Sequence, residues 1–308
     1  MPAMMDAIRL HTPGEPSGLS YEQLEKPRPG AGEVLVRVHA AGITRDELEW
    51  PADRLPATPC HELSGVVAGV GPDVHDIAAG EPVYALSGFD RDGAAAEYAI
   101  VPSEFVAPKP VTLSHTESAA IPLAGLSAWQ ALFDHGNLAE GQRVLVHGAA
   151  GGVGSLAVQL ARERGAHVIA TVSTPDVETA RALGAHEVVD HTKLRFEDVV
   201  DRADLVFDTA GGDRLERSLE VLPPGGRLVS VASEPPQERA AERGVEAIYF
   251  IVEPNRGQLV ERAGLVDRGR LRPMIDEVFP LIDARQAFKR SLGRDHRGKI
   301  VLRVADEP

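Results

Sequence analysis

The hydrophobic positions of the chain follow two different patterns, one before and one after about residue 120. The first part contains short apolar runs, among them 34–38, 64–71 and 81–86, separated by turn-forming residues. Separators such as Pro27-Arg28-Pro29-Gly30 interrupt any helix, so each run is predicted to be a β-strand. Residues 1–118 are therefore predicted to form a small, mostly antiparallel β domain.

From about residue 125 onward, apolar strands alternate with amphipathic helices. The pattern predicts helices over 155–164 and 177–183, the second closed by Gly184. The predicted strands of this part are 143–147, 167–172, 187–190, 205–208 and 227–231. Alternating strands and helices are typical of a parallel sheet that is covered on both faces. The fold class is therefore α/β, with a doubly wound parallel sheet beside the β domain.

The composition of the chain argues against several classes of function. The 308 residues include 32 Lys and Arg against 46 Asp and Glu, a formal charge of −14. An acidic surface repels phosphate backbones and anionic membranes, which argues against a nucleic-acid or membrane partner. No apolar run is long enough to span a bilayer, and the first residues do not resemble a signal peptide. Cys60 is the only cysteine, so no internal disulfide is possible, and we expect a cytoplasmic location.

A glycine-rich segment, 147–154, lies between the first strand and the first helix of the alternating part. Glycines in such a loop allow a tight turn and a close approach of the backbone to a pyrophosphate. The helix that follows offers free N–H groups to phosphates. The segment predicts a dinucleotide site, although a turn that merely connects strand and helix is the alternative. The candidate cofactor contacts are Gly148, Ala150, Gly151, Gly152, Val153 and Gly154.

The end of the second strand bears on the choice of cofactor. NAD-binding loops usually carry a carboxylate there, which binds the ribose 2′-hydroxyl. This chain has Ser173 and Thr174, and the first carboxylate comes only at Asp176. Small hydroxyl residues favour the 2′-phosphate of NADPH. The loop contains no Arg or Lys, so His191 is a candidate for the counter-charge, and an ordinary surface histidine is the equal alternative.

Several segments together resemble the medium-chain dehydrogenase/reductase superfamily, and specifically its zinc-free quinone oxidoreductase branch. The segments are 29–43, Cys60-His61-Glu62-Leu63-Ser64-Gly65-Val66-Val67, 122–129, the glycine loop, Asp208-Thr209-Ala210-Gly211-Gly212 and Gly298-Lys299-Ile300-Val301-Leu302. The resemblance implies a GroES-like catalytic domain of residues 1–118 and 253–308 and a Rossmann NADP-binding domain of residues 119–252. It also implies that Thr209 and Ala210 contact the cofactor.

The resemblance also allows a statement about zinc. Zinc alcohol dehydrogenases of this superfamily bind the metal through a cysteine near the first β segment, the histidine of a Gly-His-Glu motif and a cysteine beside the domain-linking helix. Thr44 or one of its neighbours, His61 and about Leu123 stand at these positions, so that only His61 and the adjacent Glu62 could serve as ligands, and Cys60 replaces the motif glycine. A catalytic zinc needs three thiolate, imidazole or carboxylate ligands. We therefore expect no metal, and His61 is either a packed histidine or a polar group near the substrate.

The remaining substrate contacts are implied by the same resemblance. Thr44 and His61 are the candidate catalytic residues, and Trp50 either stacks on a planar quinone or belongs to the core. Phe250, Ile251 and Val252 are expected at the nicotinamide end, on the strand at which dimers of this family join their sheets. Related enoyl reductases carry a tyrosine proton donor, but Leu55 stands at that position.

Adjacent carboxylates at Asp46 and Glu47 point in different directions. A solvated or domain-tying role is therefore expected for them, rather than acid–base catalysis.

The predicted function is that of a cytoplasmic, NADPH-dependent, zinc-independent oxidoreductase. Without a metal to polarise a carbonyl, the substrates that still accept hydride are quinones and α,β-unsaturated carbonyls. A homodimer is expected. Two alternatives stay open: an NADPH-binding structural or redox-sensing protein with little turnover, and a zinc-dependent alcohol dehydrogenase.

Overall fold

The computed structural model describes residues 2–50, 53–293 and 295–306. It divides into two compact units, the first made of Met1–Leu123, Glu253–Gly269 and Pro273–Pro308, and the second of Ala124–Val252 and Arg270–Arg272. The strands are β1 (Met4–Leu10), β2 (Leu19–Glu25), β3 (Glu33–Ile43), β4 (Glu62–Val70), β5 (Pro82–Leu86), β6 (Tyr98–Pro102), β7 (Val106–Pro108), β8 (Arg143–His147), β9 (His167–Val172), β10 (Glu187–Asp190), β11 (Leu205–Asp208), β12 (Arg227–Ser230), β13 (Glu246–Tyr249), β14 (Ile275–Pro280) and β15 (Lys299–Arg303). The α-helices are α1 (His115–Ser118), α2 (Pro122–Trp129), α3 (Gly152–Glu163), α4 (Val177–Leu183), α5 (Arg214–Ser218), α6 (Gln237–Glu242), α7 (Arg256–Asp267) and α8 (Ala284–Leu292).

The second unit is built on a six-stranded sheet of order β10-β9-β8-β11-β12-β13, in which every pair is parallel. Its central strands are apolar throughout, and Val144, Leu145 and Val146 of β8 are fully buried. Counted along the chain, this is the 3-2-1-4-5-6 order of dinucleotide-binding folds. The predicted parallel sheet is confirmed, and β8, β9, β10 and β11 have the bounds that the apolar runs indicated.

The first unit contains a seven-stranded sheet of order β14-β15-β3-β4-β5-β7, with β6 also paired to β3. All pairs are antiparallel except β14 with β15. A separate antiparallel pair joins β1 and β2. Inward-facing residues such as Val36, Leu63 and Leu302 form one core with Phe288 of α8. The predicted mostly antiparallel domain is confirmed. Among the described helices, none is both long and apolar enough to cross a bilayer.

Two differences between the predicted and the observed boundaries bear on the candidate site. Helix α3 begins at Gly152 rather than at residue 155, because glycines at 152 and 154 let the first turn form directly against the loop. Strand β13 ends at Tyr249, so Phe250, Ile251 and Val252 follow the strand instead of forming it. In the single chain, Ile251 is 66% exposed and Tyr249 40% exposed.

Candidate functional site

The glycine loop joins β8 to α3 at the carboxyl edge of the parallel sheet. Gly148 adopts φ +71°, a left-handed conformation that favours glycine. A β-carbon at Gly154 would lie 2.2 Å from the Gly148 carbonyl oxygen, so only glycine fits there without moving the backbone. No side chain caps the first turn of α3. Its N–H groups are therefore available to an anion, as in dinucleotide-binding loops.

The end of a further strand, β11, adjoins this loop. The Thr209 hydroxyl donates to the His147 carbonyl oxygen at 2.7 Å, which ties the end of β11 to the end of β8. The Asp208 carboxylate accepts the N–H groups of Ala210 (3.3 Å) and Gly211 (2.9 Å). Ala210 itself is exposed. The structure thus brings the predicted residues Thr209 and Ala210 to the same sheet edge as the glycine loop.

The hydroxyl groups after β9 are engaged by carboxylates. Ser173 Oγ donates to Asp176 at 2.6 Å, and Thr174 Oγ1 donates to Asp190 at 2.6 Å. Hydrogen bonds from Thr174 and Thr192 hold the pKa of Asp190 well below its usual range. Two negative charges therefore lie beside the hydroxyls that the sequence offers to a 2′-phosphate. The positive charge for such a group has to come from other side chains.

A cavity of about 280 Å³ opens between the segment after β10 and helix α5. It is lined by Thr171, His191, Thr192, Lys193, Leu194, Arg195, Phe196, Arg214 and Arg217. Arg195 and Arg217 are paired with Glu197, and Lys193 is paired with Asp190. Within the described part of the chain, Arg214 forms no ion pair, and its one hydrogen bond goes to the Gly211 carbonyl oxygen at 3.4 Å. Among the described residues, Arg214 is thus the cation of this cavity that has no ion-pair partner, and we call it uncompensated in that sense.

Two histidines near the cavity, His147 and His191, have lowered pKa values. Burial, and then the charge of Arg214, lower the pKa of His191. Burial lowers the pKa of His147 to about 3. The ring of His147 lies between Thr171 (2.9 Å) and Ser218 (3.1 Å), so it is a packed residue of the sheet. His191 lines the cavity, and its lowered pKa makes it a weaker source of positive charge than Arg214.

In the first unit, three aromatic rings form a cluster. The Trp50 ring centroid is 5.1 Å from that of Phe89 and 6.0 Å from that of His61, and Phe89 and His61 are 5.2 Å apart. Trp50 is 37% exposed, so it is not a core residue. His61 is buried, and its Nδ1 lies 3.1 Å from the Gly88 carbonyl oxygen. Burial lowers the pKa of His61 to about 4, so the imidazole is neutral and Nδ1 carries the hydrogen.

Beside this cluster lies a group of polar side chains, four of them buried and that of Thr44 half-buried. We call it the Lys299 cluster, and it consists of Thr44, Glu47, Cys60, Glu62 and Lys299. Glu47 is 1% exposed, which corrects the expectation that it is solvated, whereas Asp46 is exposed. The Glu47 carboxyl group accepts the backbone N–H groups of Thr44 (3.0 Å) and Cys60 (3.1 Å). Burial raises the pKa of Glu47 to about 8. Glu47 therefore holds the turn that presents Thr44.

Cys60 occupies the position of the motif glycine and keeps the glycine conformation, with φ +69°. Its side chain is fully buried, and burial together with Glu47 raises the pKa of the thiol. The thiol is protonated at neutral pH and closed to solvent, so Cys60 is not a reactive cysteine.

Lys299 was not predicted as a site residue. It is 7% exposed, and its ammonium group contacts Glu62 Oε1 and lies 3.3 Å from Thr44 Oγ1. The other oxygen of Glu62 accepts the N–H of Leu123 at 2.9 Å. A lysine inside the apolar run 298–302 is the one signal in the sequence that pointed to it. No comparable feature of the sequence pointed to Phe89 or Arg214.

Phe250, the other predicted substrate residue, belongs to the second unit. Its ring is half-buried and lies 4.4 Å from the ring of His135. Its backbone N–H donates to Ser230 beyond the end of β13.

Comparison with known proteins supports the geometry of both units. Residues 30–111 match the family model of the alcohol dehydrogenase GroES-like domain, and residues 183–302 match that of the zinc-binding dehydrogenases. The 2-haloacrylate reductase of a Burkholderia species is 31% identical, with 97% of this chain and 99% of the relative covered. The chain belongs to the medium-chain dehydrogenase/reductase superfamily. It is an oxidoreductase of that superfamily, as the resemblance of its motifs implied.

Two further relatives are of the same kind. The NADPH-dependent alkenal/one oxidoreductase of Arabidopsis thaliana chloroplasts is 32% identical, with 88% of this chain and 72% of the relative covered. The quinone oxidoreductase of Coxiella burnetii superimposes with a TM-score of 0.93 at 30% identity, over 98% of this chain and all of that chain. Two matched polyketide synthases are far longer, and the chain spans only 5% and 13% of them.

The zinc that one family model names does not fit the residues of this chain. The resemblance puts Thr44 or one of its neighbours, His61 and about Leu123 at the three ligand positions, and of these three named residues only His61 has a side chain that binds zinc. The ammonium group of Lys299 lies within hydrogen-bond distance of Thr44, so a positive charge already occupies this place. Among the described residues, no group of three His, Cys, Asp or Glu side chains could hold a metal ion.

Proposed function

We propose that the protein is a zinc-independent, NADPH-dependent reductase of quinones or α,β-unsaturated carbonyl compounds. The observation that carries the proposal is the donor set at the zinc positions of the family, where Thr44 and Leu123 replace metal ligands and Lys299 brings a positive charge. A simple ketone accepts hydride poorly without a Lewis acid, whereas a quinone or an enone spreads the incoming charge over a conjugated system. Relatives named as alkenal/one and quinone oxidoreductases support the same class.

The residues of the second unit fit a nicotinamide cofactor. The N–H groups at Gly152, Val153 and Gly154 would hold its pyrophosphate, as the dipole of α3 favours negative charge there. The other contacts predicted from the sequence are Gly148, Ala150, Gly151, Ser173, Thr174, His191, Thr209 and Ala210. When bound, the cofactor supplies the hydride, and the protein supplies its orientation.

The uncompensated Arg214 favours NADPH over NADH, because a 2′-phosphate brings the negative charge that this guanidinium lacks. Replacing Arg214 by alanine is expected to raise the KM for NADPH roughly 10- to 100-fold, the loss of a charged hydrogen bond of about 1.5–3 kcal/mol. The KM for NADH should stay within about twofold, since NADH has no group for Arg214 to bind. Steady-state kinetics with both cofactors measures the two effects.

Arg195→Ala is the matched control, because it removes the same charge from a residue that is already paired with Glu197. It should leave both KM values nearly unchanged. An Arg214→Ala variant with equal losses for NADPH and NADH would contradict a 2′-phosphate contact.

For the substrate, we propose that Thr44 and His61 face the reacting group and that Trp50 and Phe250 contact the planar part of the molecule. The exposed edge of Trp50, held by Phe89, supports a stacking role. His61 is neutral, so it would act as a polar contact and not as a cation.

A small substrate panel tests the proposed function. We expect NADPH oxidation with menadione and with an enone such as 3-penten-2-one, little oxidation with a simple aldehyde, and no change after treatment with a chelator. Aldehyde reduction that a chelator abolishes and zinc restores would instead show a zinc alcohol dehydrogenase. Tight NADPH binding without turnover of any compound would favour a structural or redox-sensing protein.

The remaining features stay predictions from the sequence. We propose a homodimer, supported by the exposed side chains of Tyr249 and Ile251 at and after the edge strand β13. We also propose residues 1–118 and 253–308 as the catalytic domain and residues 119–252 as the NADP-binding domain, in a cytoplasmic protein.

A further inference from the structure

The Lys299 cluster places a buried cation against a hydroxyl group that the proposed function uses. Lys299 begins β15, and Thr44 directly follows β3, the strand that pairs with β15. The ammonium nitrogen lies 3.3 Å from Thr44 Oγ1 and contacts Glu62. Lys299 is 7% exposed and Glu62 fully buried, so neither charge is screened well by water. An interaction in such surroundings is stronger than the same interaction on the surface.

Thr44 is also fixed through its backbone. Its N–H donates to Glu47 at 3.0 Å, and Glu47 is in turn held by the N–H of Cys60. The side chain of Thr44 remains half-buried, so part of it is open to an incoming molecule. The hydroxyl oxygen thus has a defined position next to the ammonium group.

The direction of this hydrogen bond follows from the chemistry of the two groups. A lysine ammonium group has three donors and no acceptor, so Thr44 Oγ1 must be the acceptor. The hydrogen of the Thr44 hydroxyl is then left to donate to another oxygen. Accepting a hydrogen bond from a positively charged donor polarises the hydroxyl and makes it a stronger donor to its own acceptor, since hydrogen bonds in a chain reinforce each other.

We propose that Lys299 is a positioning residue that polarises the Thr44 hydroxyl, and that Thr44 donates a hydrogen bond to the substrate oxygen on which negative charge develops. The inference rests on the proposed function. The hydrogen bond from Thr44 would stabilise the carbonyl oxygen in the place of a metal ion. As hydride adds to the conjugated carbon, the π electrons move to the carbonyl oxygen. Thr44 stabilises that oxygen by its hydrogen bond, and the oxygen later takes a proton from water.

Four variants test this inference by turnover of menadione. Thr44→Val removes the donor without a change of shape and is expected to lower kcat roughly 100-fold, as loss of one oxyanion donor does. Thr44→Ser keeps the hydroxyl and should stay within about tenfold of the wild type. Thr112→Val is the control, because it removes an exposed hydroxyl that bonds Asp267 and should leave kcat unchanged. Lys299→Met, combined with Glu62→Gln so that no buried charge is left alone, should also lower kcat.

A double-mutant cycle separates positioning from a structural role. If Lys299 acts through Thr44, then adding Lys299→Met and Glu62→Gln to Thr44→Val lowers kcat by less than about twofold further. If Lys299 only stabilises the fold, the two losses multiply, and the inference is overturned. Full kcat in Thr44→Val overturns it as well.

Binding of 4-nitrophenol gives a readout that does not depend on turnover. Its phenolate oxygen carries the kind of charge that Thr44 would stabilise, and its absorbance reports ionisation directly. We expect the wild type to lower the pKa of the bound phenol by about one unit relative to Thr44→Val, a tenfold shift in the ionisation equilibrium. An equal phenol pKa in both proteins, or no binding, overturns the inference. If the wild-type protein shows this shift of the phenol pKa but reduces no quinone or enone, only the proposed function is refuted.

Discussion

Replacing Lys299 by methionine is expected to destabilise the protein by about 3–5 kcal/mol, because it leaves the carboxylate of Glu62 buried without its cation. Glu62 is fully buried and has two partners, the Lys299 ammonium group and the N–H of Leu123. Methionine fills nearly the same volume, so the loss of charge and not a cavity dominates the change. Urea denaturation monitored by circular dichroism measures the free energy of unfolding.

Adding Glu62→Gln to Lys299→Met is the informative second step. A neutral amide at position 62 still accepts the N–H of Leu123, so most of the lost stability should return. Arg202→Met is the surface comparison, since Arg202 pairs with Asp204 at 2.9 Å while its side chain is 60% exposed. It is expected to cost less than about 1 kcal/mol. Equal losses for Lys299→Met and Arg202→Met would contradict the cost assigned to the buried charge of Glu62.

The strands of the parallel sheet could be predicted from the sequence because each is a short apolar run bounded by polar residues or glycine. Strands β8 to β11 are of this kind, and α4 is bounded by the glycine that ends it. The start of α3 was predicted three residues too late, because glycines lower helix propensity and hide the first turn. Strand β13 was predicted too far along the chain, since an apolar run does not reveal where its hydrogen-bonded partner strand ends.

The residues of the candidate site also fall into those that could be predicted from the sequence and those that could not. The glycine loop is contiguous, so its residues carry the pattern themselves. Glu47 could not be predicted as buried, because its environment is made by Cys60, 13 residues further along. Lys299 and Thr44 are 255 residues apart in the chain. The charge of Arg214 is uncompensated only because the neighbouring arginines take the available carboxylates, which no local pattern reveals.

Replacing Gly154 by alanine is expected to lower the free energy of unfolding by about 3 kcal/mol and to abolish cofactor binding in practice. The added β-carbon would lie 2.2 Å from the Gly148 carbonyl oxygen, 2.8 Å from its carbon and 2.9 Å from the Ala149 α-carbon. All three atoms belong to the backbone, so no side-chain rotation relieves the clash. The loop must move away from α3, which displaces the N–H groups proposed to hold the pyrophosphate.

Gly151→Ala, three residues earlier in the same loop, is the matched control for the Gly154→Ala prediction. Its β-carbon would lie 3.3 Å from the same carbonyl oxygen, and Gly151 has an extended backbone that alanine adopts freely. Its unfolding free energy should stay within about 1 kcal/mol of the wild type. Denaturation without cofactor gives the difference in stability between the two variants. Fluorescence titration with NADPH should show a Kd for Gly154→Ala that is at least about 100-fold higher than that of the wild type. Because the denaturation is done without cofactor, equal stability of the two variants would contradict the backbone clash itself, whatever molecule the loop binds.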